Sequence, residues 1–140
     1  MNKIKPLYLI ALLGGIAIVF YLSWLPDPNI GYKPYFPKWL GKWTNAHGNL
    51  RTAVPFVFLG LTGEIFQFKS QVQSWKRRIT LLTILALIVS LAEAGQLFIP
   101  KRHFDTGDIM WGIAGAATGI VLGMATTKIL EFRGNLKEIN

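Results

Sequence analysis

Apolar positions along the chain gather into four long runs. Residues 7–25 carry no charged side chain, and neither do residues 109–127. Residues 79–99 are interrupted only by Glu93, and residues 52–68 only by Glu64. A hydrocarbon layer ~30 Å thick takes about 20 helical residues, within a range of roughly 17–25. All four runs fit. Backbone inside a bilayer must satisfy its own hydrogen bonds, which selects helices here. The pattern predicts an all-α, four-span transmembrane helix bundle. Its helices fall at about 7–25, 52–68, 79–99 and 108–127, in a single membrane domain over 1–140. No internal repeat or low-complexity tract interrupts them.

Composition sharpens this picture. Apolar residues make up 51% of the chain and charged residues 16%, against about 25% charged in an ordinary soluble domain. A disordered chain needs the opposite balance. The absence of cysteine excludes disulfides, thiolate metal sites and thiol nucleophiles. Lys3 and Lys5 give the first run a basic flank like that of a signal peptide. The run is long for that role, and residues 24–27 offer no small-x-small cleavage pattern, so it reads as a retained anchor.

An even number of spans puts both ends on one side. Placed inside, the basic set is Lys3, Lys5, Lys69, Lys76, Arg77, Arg78, Lys128, Arg133 and Lys137. The outer set is Lys33, Lys38, Lys42, Arg51, Lys101 and Arg102. The excess, with the Lys76-Arg77-Arg78 cluster, favours cytoplasmic termini. Anionic headgroups beside basic loops account for the net charge of +8 without nucleic acid. The longest outer connection, 26–50, holds Pro26, Pro28, Pro34 and Pro37 among Trp24, Tyr32, Tyr35, Phe36, Trp39 and Trp43. Proline opposes regular helix and aromatics favour headgroup level. It is expected to be an irregular loop, lying as an aromatic belt or as a lid over a site. Pro55 is expected in the first turn of the second span.

Charges within spans are expensive and usually functional. Glu64 stands next to the inner end beside Lys69, where snorkelling would reach the headgroups. Glu93 stands about 21 Å along its run from residue 79 and about 9 Å short of residue 99, at 1.5 Å per residue. It needs a partner from another helix or a proton. Gln96 shares its helix face. Beyond Pro100, Arg102 is a candidate partner for Glu93 or Asp108. Asp105, Thr106 or Asp108 can cap the last helix. Gly115, Gly119 and Gly123 form a small-residue stripe for close helix packing, expected to draw Asp108 towards Glu93. His47, Asn49 and Arg51 precede the second span on the same side. Together, Glu93, Gln96, Arg102, Asp105, Asp108, Arg51, His47 and Asn49 form a candidate ligand-binding set at one membrane face. Its arginines suit phosphate. No established catalytic signature, metal site or cofactor motif is present.

The stretch Glu93-x-x-Gln96-x-Phe98-x-Pro100-x-Arg102-x-Phe104-x-x-x-Asp108, followed by Gly115 and Gly119, resembles the C-terminal half of VanZ-like membrane proteins. Asn49-Leu50 and Pro55-Phe56 echo an Asn-Leu-Ile-Pro-Phe segment of that family, with two extra residues between the pairs. The chain departs from the family at Ala92, often Asp, and at Gly112, often Asn. The Asp-Lys of an Asp-Lys-x-x-His element is missing before His47. The resemblance implies a four-helix protein of the bacterial inner (plasma) membrane, multi-pass, in a family whose best-known member is associated with low-level glycopeptide resistance, which carries over here only as a family label.

Three functions fit these residues. The first is an outer-face polar site for a lipid headgroup, a lipid-linked cell-envelope precursor or a lipophilic glycopeptide. The second is a structural or assembly subunit, with a membrane-protein partner or a homo-oligomer. The third is a membrane enzyme on a lipid-linked substrate, with Glu93 as general base. No cofactor, metal or nucleic acid is expected.

Overall fold

The computed structural model describes residues 4–27, 29, 33–35 and 37–138, with side chains among these from residue 6 to residue 133. The described chain forms α1 (Ile4–Ser23), α2 (Lys38–Ala46), α3 (Gly48–Lys69), α4 (Trp75–Gln96) and α5 (Thr106–Glu138), and has no strand. Pro28, Tyr32, Phe36 and Lys3 of the sequence analysis lie outside the described residues.

Polarity runs inside out. Ile10 is 67% exposed and Leu87 58%, whereas Glu64 is 0%, Glu93 3% and Gln96 5% exposed. Water would penalise that distribution; hydrocarbon demands it, because unsatisfied polar groups are costly there. Among the described residues, three helices are long and apolar enough to cross a membrane: α1 over Pro6–Ser23, α4 over Trp75–Gln96 and α5 over Thr106–Arg133. The fourth run behaves differently. α3 has 22 residues, as α4 does, but Arg51, Glu64 and Gln67 lower its hydropathy. It packs against α1, α4 and α5 and carries buried Thr62, Glu64 and Gln67, with Val54 and Phe58 left exposed on its outer side.

The long helices alternate in direction. Gly15 of α1 meets Leu59 of α3, Gly63 of α3 meets Leu81 of α4, and Gly112 of α5 meets Val89 of α4. α3 and α5 therefore run parallel, and they touch backbone to backbone. A Cβ on Gly115 would strike the Ala53 backbone, one on Gly119 the Val57 carbonyl, and one on Gly60 the Ala116 carbonyl. The glycine stripe thus packs on α3, while Gly112 packs on α4. The core lies between the helices around Phe56, Leu59, Leu85, Val89 and Ala116.

Several boundaries differ from the sequence reading. Residues 38–46 are helical rather than irregular, because the prolines all precede the segment and Pro37 sits at its N-cap. Gly41 and Thr44 of α2 are buried, leaving Lys38, Trp39 and Lys42 outside. α3 starts at Gly48, so Pro55 lies inside the helix rather than in its first turn. There it cannot donate to the Arg51 carbonyl. α4 ends at Gln96 instead of residue 99. Leu97, Phe98 and Ile99 donate to Ala94, Gly95 and Gln96 in a tightened final turn, and Lys101 reverses the chain at φ 67°. α5 continues to Glu138, about 50 Å at 1.5 Å per residue, which exceeds a ~30 Å hydrocarbon layer.

Candidate functional site

One end of the bundle brings together the end of α1, the start of α3, the end of α4 and the start of α5. A cavity of about 70 Å³ opens there. That is several times the roughly 10–15 Å³ one ordered water requires. Its polar wall is Ser23, Arg51, Thr52, Glu93, Gln96, Arg102 and Asp108. One helical turn deeper stand Val19, Phe56 and Val89, with Leu22 and Pro55 at the side.

Glu93 lies in the last turn of α4, three residues from its end, rather than two turns deep as the longer run implied. Gln96, on the same face, donates Nε2 to Glu93 Oε1 at 2.6 Å. The Asp105 backbone N–H donates to Glu93 Oε2 at 3.3 Å. Both donors are neutral. Arg102 does not pair with Glu93 or Asp108. Its Nη2 donates to the Ser23 carbonyl at 2.6 Å, and its Nε is buried without a partner. Burial first, and the like charge of Arg51 second, lower the Arg102 pKa below its usual value. The group stays cationic at any physiological pH.

The remaining scaffold hangs on α1. Gln96 Nε2 also reaches Ser23 Oγ at 3.0 Å, and Ser23 Oγ donates to the Ala92 carbonyl at 3.4 Å. Trp24 Nε1 donates to that carbonyl at 3.1 Å. The indole lies over Gly95, where any Cβ would strike it. Gly95 is therefore the seat of Trp24. The Asp105 carboxylate accepts the Gly107 N–H at 2.7 Å, capping α5 and leaving Asp108 in the first turn, facing the cavity.

Five of the eight expected ligand-binding residues thus stand on the cavity wall: Glu93, Gln96, Arg102, Asp108 and Arg51. Asp105 supplies a backbone N–H to Glu93, and its side chain is used as a cap. His47 and Asn49 stand apart and exposed. His47 Nδ1 lies 3.1 Å from the Trp43 carbonyl, and its ring stacks on Trp43 at 5.5 Å. It ends α2 and does not close the cavity. Ser23 and Thr52 are cavity residues absent from the sequence reading, and Phe56 entered it only through the Pro55-Phe56 echo. Ser23 had a signal, being the sole hydroxyl side chain in 7–25 apart from the tyrosines. Thr52 had none beyond lying on the Arg51 helix. Among the described residues, no group of His, Asp and Glu could hold a metal ion.

Glu64 occupies the opposite end. It is fully buried and does not snorkel to the surface. Arg78 donates Nε at 2.8 Å and Nη2 at 2.7 Å to its Oε1, and Gln73 donates at 3.2 Å. One member of the basic cluster thus serves an internal ion pair.

No curated protein and no solved structure matches this chain. The family described as VanZ/LLP1 matches residues 7–128, a span that holds α3, α4, the cavity and the glycine stripe. By that match, the chain belongs to the VanZ/LLP1 family.

Proposed function

We propose that this VanZ-like membrane protein binds the polar end of an amphiphile in the cavity between α1, α3, α4 and α5. The ligand is a lipid headgroup, a lipid-linked envelope precursor or a lipophilic glycopeptide. One observation carries the reading. Glu93 and Arg102 share a small open cavity, yet each is held by neutral groups rather than by the other. Charges spared from mutual pairing remain available to a ligand, and arginines suit phosphate. Glu93 and Gln96 line the site, Arg102 and Asp108 complete it, and Arg51 stands at its α3 wall. α3 serves as a fourth span in this proposal. Both termini are cytoplasmic, the cavity faces outward, and the protein is one domain of the bacterial inner membrane.

A second reading has its own observation. Gln96 and Arg102 both fasten Ser23 of α1, which is what interhelical glue in a structural or assembly subunit would do. Native mass spectrometry of the gently extracted protein separates the two, with wild type beside Glu93→Gln and Arg102→Ala. A small molecule retained by the wild type and lost from both variants supports the binding site. A stoichiometric protein partner, with no motif-dependent small molecule, replaces it with the subunit reading.

A further inference from the structure

We propose that the cavity is built for a zwitterionic headgroup, with its phosphate against Arg102 and Arg51 and its ammonium against Glu93 and Asp108. The inference rests on the binding reading above and narrows its ligand class.

Charge arithmetic comes first. The charged side chains on the cavity wall are Arg51 from α3, Glu93 from α4, Arg102 from the α4–α5 turn and Asp108 from α5. α1 contributes none to the wall. Two cations and two anions sum to zero, so a polyanionic ligand would meet two carboxylates beside its phosphates. A neutral headgroup carrying both signs meets its complement.

Geometry comes second. A pair of opposite charges buried together normally binds itself, because an unpaired buried charge is costly. Here the Glu93 oxygens accept from an amide and a backbone N–H, and each keeps capacity for a further donor. The Arg102 guanidinium is turned to a backbone carbonyl and leaves Nε buried and unpartnered. Arg102 and Glu93 thus line one cavity without pairing with each other. A phosphate drawn to the guanidinium and an ammonium drawn to the under-used carboxylate oxygens complement them.

Placement comes third. Asp108 lies in the first turn of α5, so it tempers the positive end of that helix instead of leaving it for an anion. The apolar residues Val19, Phe56 and Val89 lie one turn below the charges, on the side where glycerol and chains would lie. A primary ammonium is the fitting cation, since Glu93 and Asp108 are hydrogen-bond acceptors and no aromatic cage surrounds the pair.

The test uses the full chain in detergent micelles. It is exposed to equimolar phosphatidylethanolamine, phosphatidylglycerol and phosphatidic acid with identical acyl chains, and bound lipid is read by native mass spectrometry. Wild type is expected to favour phosphatidylethanolamine, and Glu93→Gln or Asp108→Asn to reduce that preference roughly tenfold or more. Arg102→Lys, which keeps the charge and is the milder change for folding, is expected to weaken every phosphate lipid. Suppose the anionic lipids bind as well as phosphatidylethanolamine, lose binding on Arg102→Lys, and gain it on Glu93→Gln. The zwitterion is then overturned while the headgroup site survives. If no lipid responds to any variant, both readings fail together.

Discussion

Glu64 and Glu93 are buried carboxylates at opposite ends of one bundle, and their partners differ in kind. Glu64 Oε1 takes both donors of the Arg78 guanidinium fork and the Gln73 amide. Its Oε2 is buried without a partner, so that charge is held wholly through Oε1. Glu93 takes only neutral donors, and its nearby Arg102 is fastened elsewhere. The first end is a lock between α3 and α4. The second is an open cavity where Glu93 and Arg102 are held by neutral groups rather than by each other. Two carboxylates in apolar runs are therefore not equivalent: one is fixed in an ion pair, the other is held only by neutral donors.

The sharpest way to break this contrast is Arg78→Ala. It strands Glu64 at full burial and is expected to destabilise the protein by about 3–5 kcal/mol. Replacing Arg78 and Glu64 together by apolar residues of similar size is expected to recover most of that. Thermal unfolding in detergent measures both. An Arg78→Ala protein that melts with the wild type would remove the lock.

Next comes the interface serving both ends. Gly119 touches the Val57 carbonyl, and Gly123 lies 2.7 Å by its virtual Cβ from Glu64 Cβ. Gly119→Val is expected to cost roughly 1–3 kcal/mol by forcing α3 and α5 apart. Gly14→Val meets open space and is expected to leave the melting temperature unchanged. Equal effects from both would mean that α5 does not depend on close contact with α3.

A smaller effect is confined to the cavity end. Gly95→Ala pushes the Trp24 indole off the Ala92 carbonyl, with an expected loss of about 1 kcal/mol, one net hydrogen bond. Tryptophan fluorescence, differenced against Trp24→Phe, checks that the indole moves. The smallest stability effect is expected from Glu93→Gln. The amide keeps one oxygen for the Asp105 N–H and turns its NH2 to Gln96, whose own amide oxygen accepts once that side chain flips, so the change stays within about 1 kcal/mol while ligand retention falls. A loss as large as that of Arg78→Ala would make Glu93 a second lock and collapse the comparison.

Much of the site was legible because its residues are exceptions to their surroundings. Glu93 breaks an apolar run, Gln96 follows one turn later, and Arg102 and Asp108 sit beyond a helix-ending proline. Such spacing places side chains on a helix face or at a cap, which is local geometry. His47 carried no comparable constraint. Its ring went to Trp43 of the same short helix, a contact that depends on α2 forming at all. Ser23 was hidden for another reason. One hydroxyl near a helix end gains meaning only once α4 lies beside it and Gln96 and Arg102 reach across.

The sequence by itself determined that the chain is helical, and its four apolar runs of about 20 residues marked it for a membrane, because apolar length answers to hydrocarbon thickness. It also determined family membership, through a motif whose spacing survives within one turn and one cap. Only the tertiary structure decided that α3 lies among the other helices, against α5 along the glycine stripe. Hydropathy measures each segment against solvent and says nothing of which neighbour screens it. Likewise, only the fold decided which carboxylate meets an arginine. An ion pair between helices is a matter of ångströms across the bundle, and residue order along one strand of chain does not encode that distance.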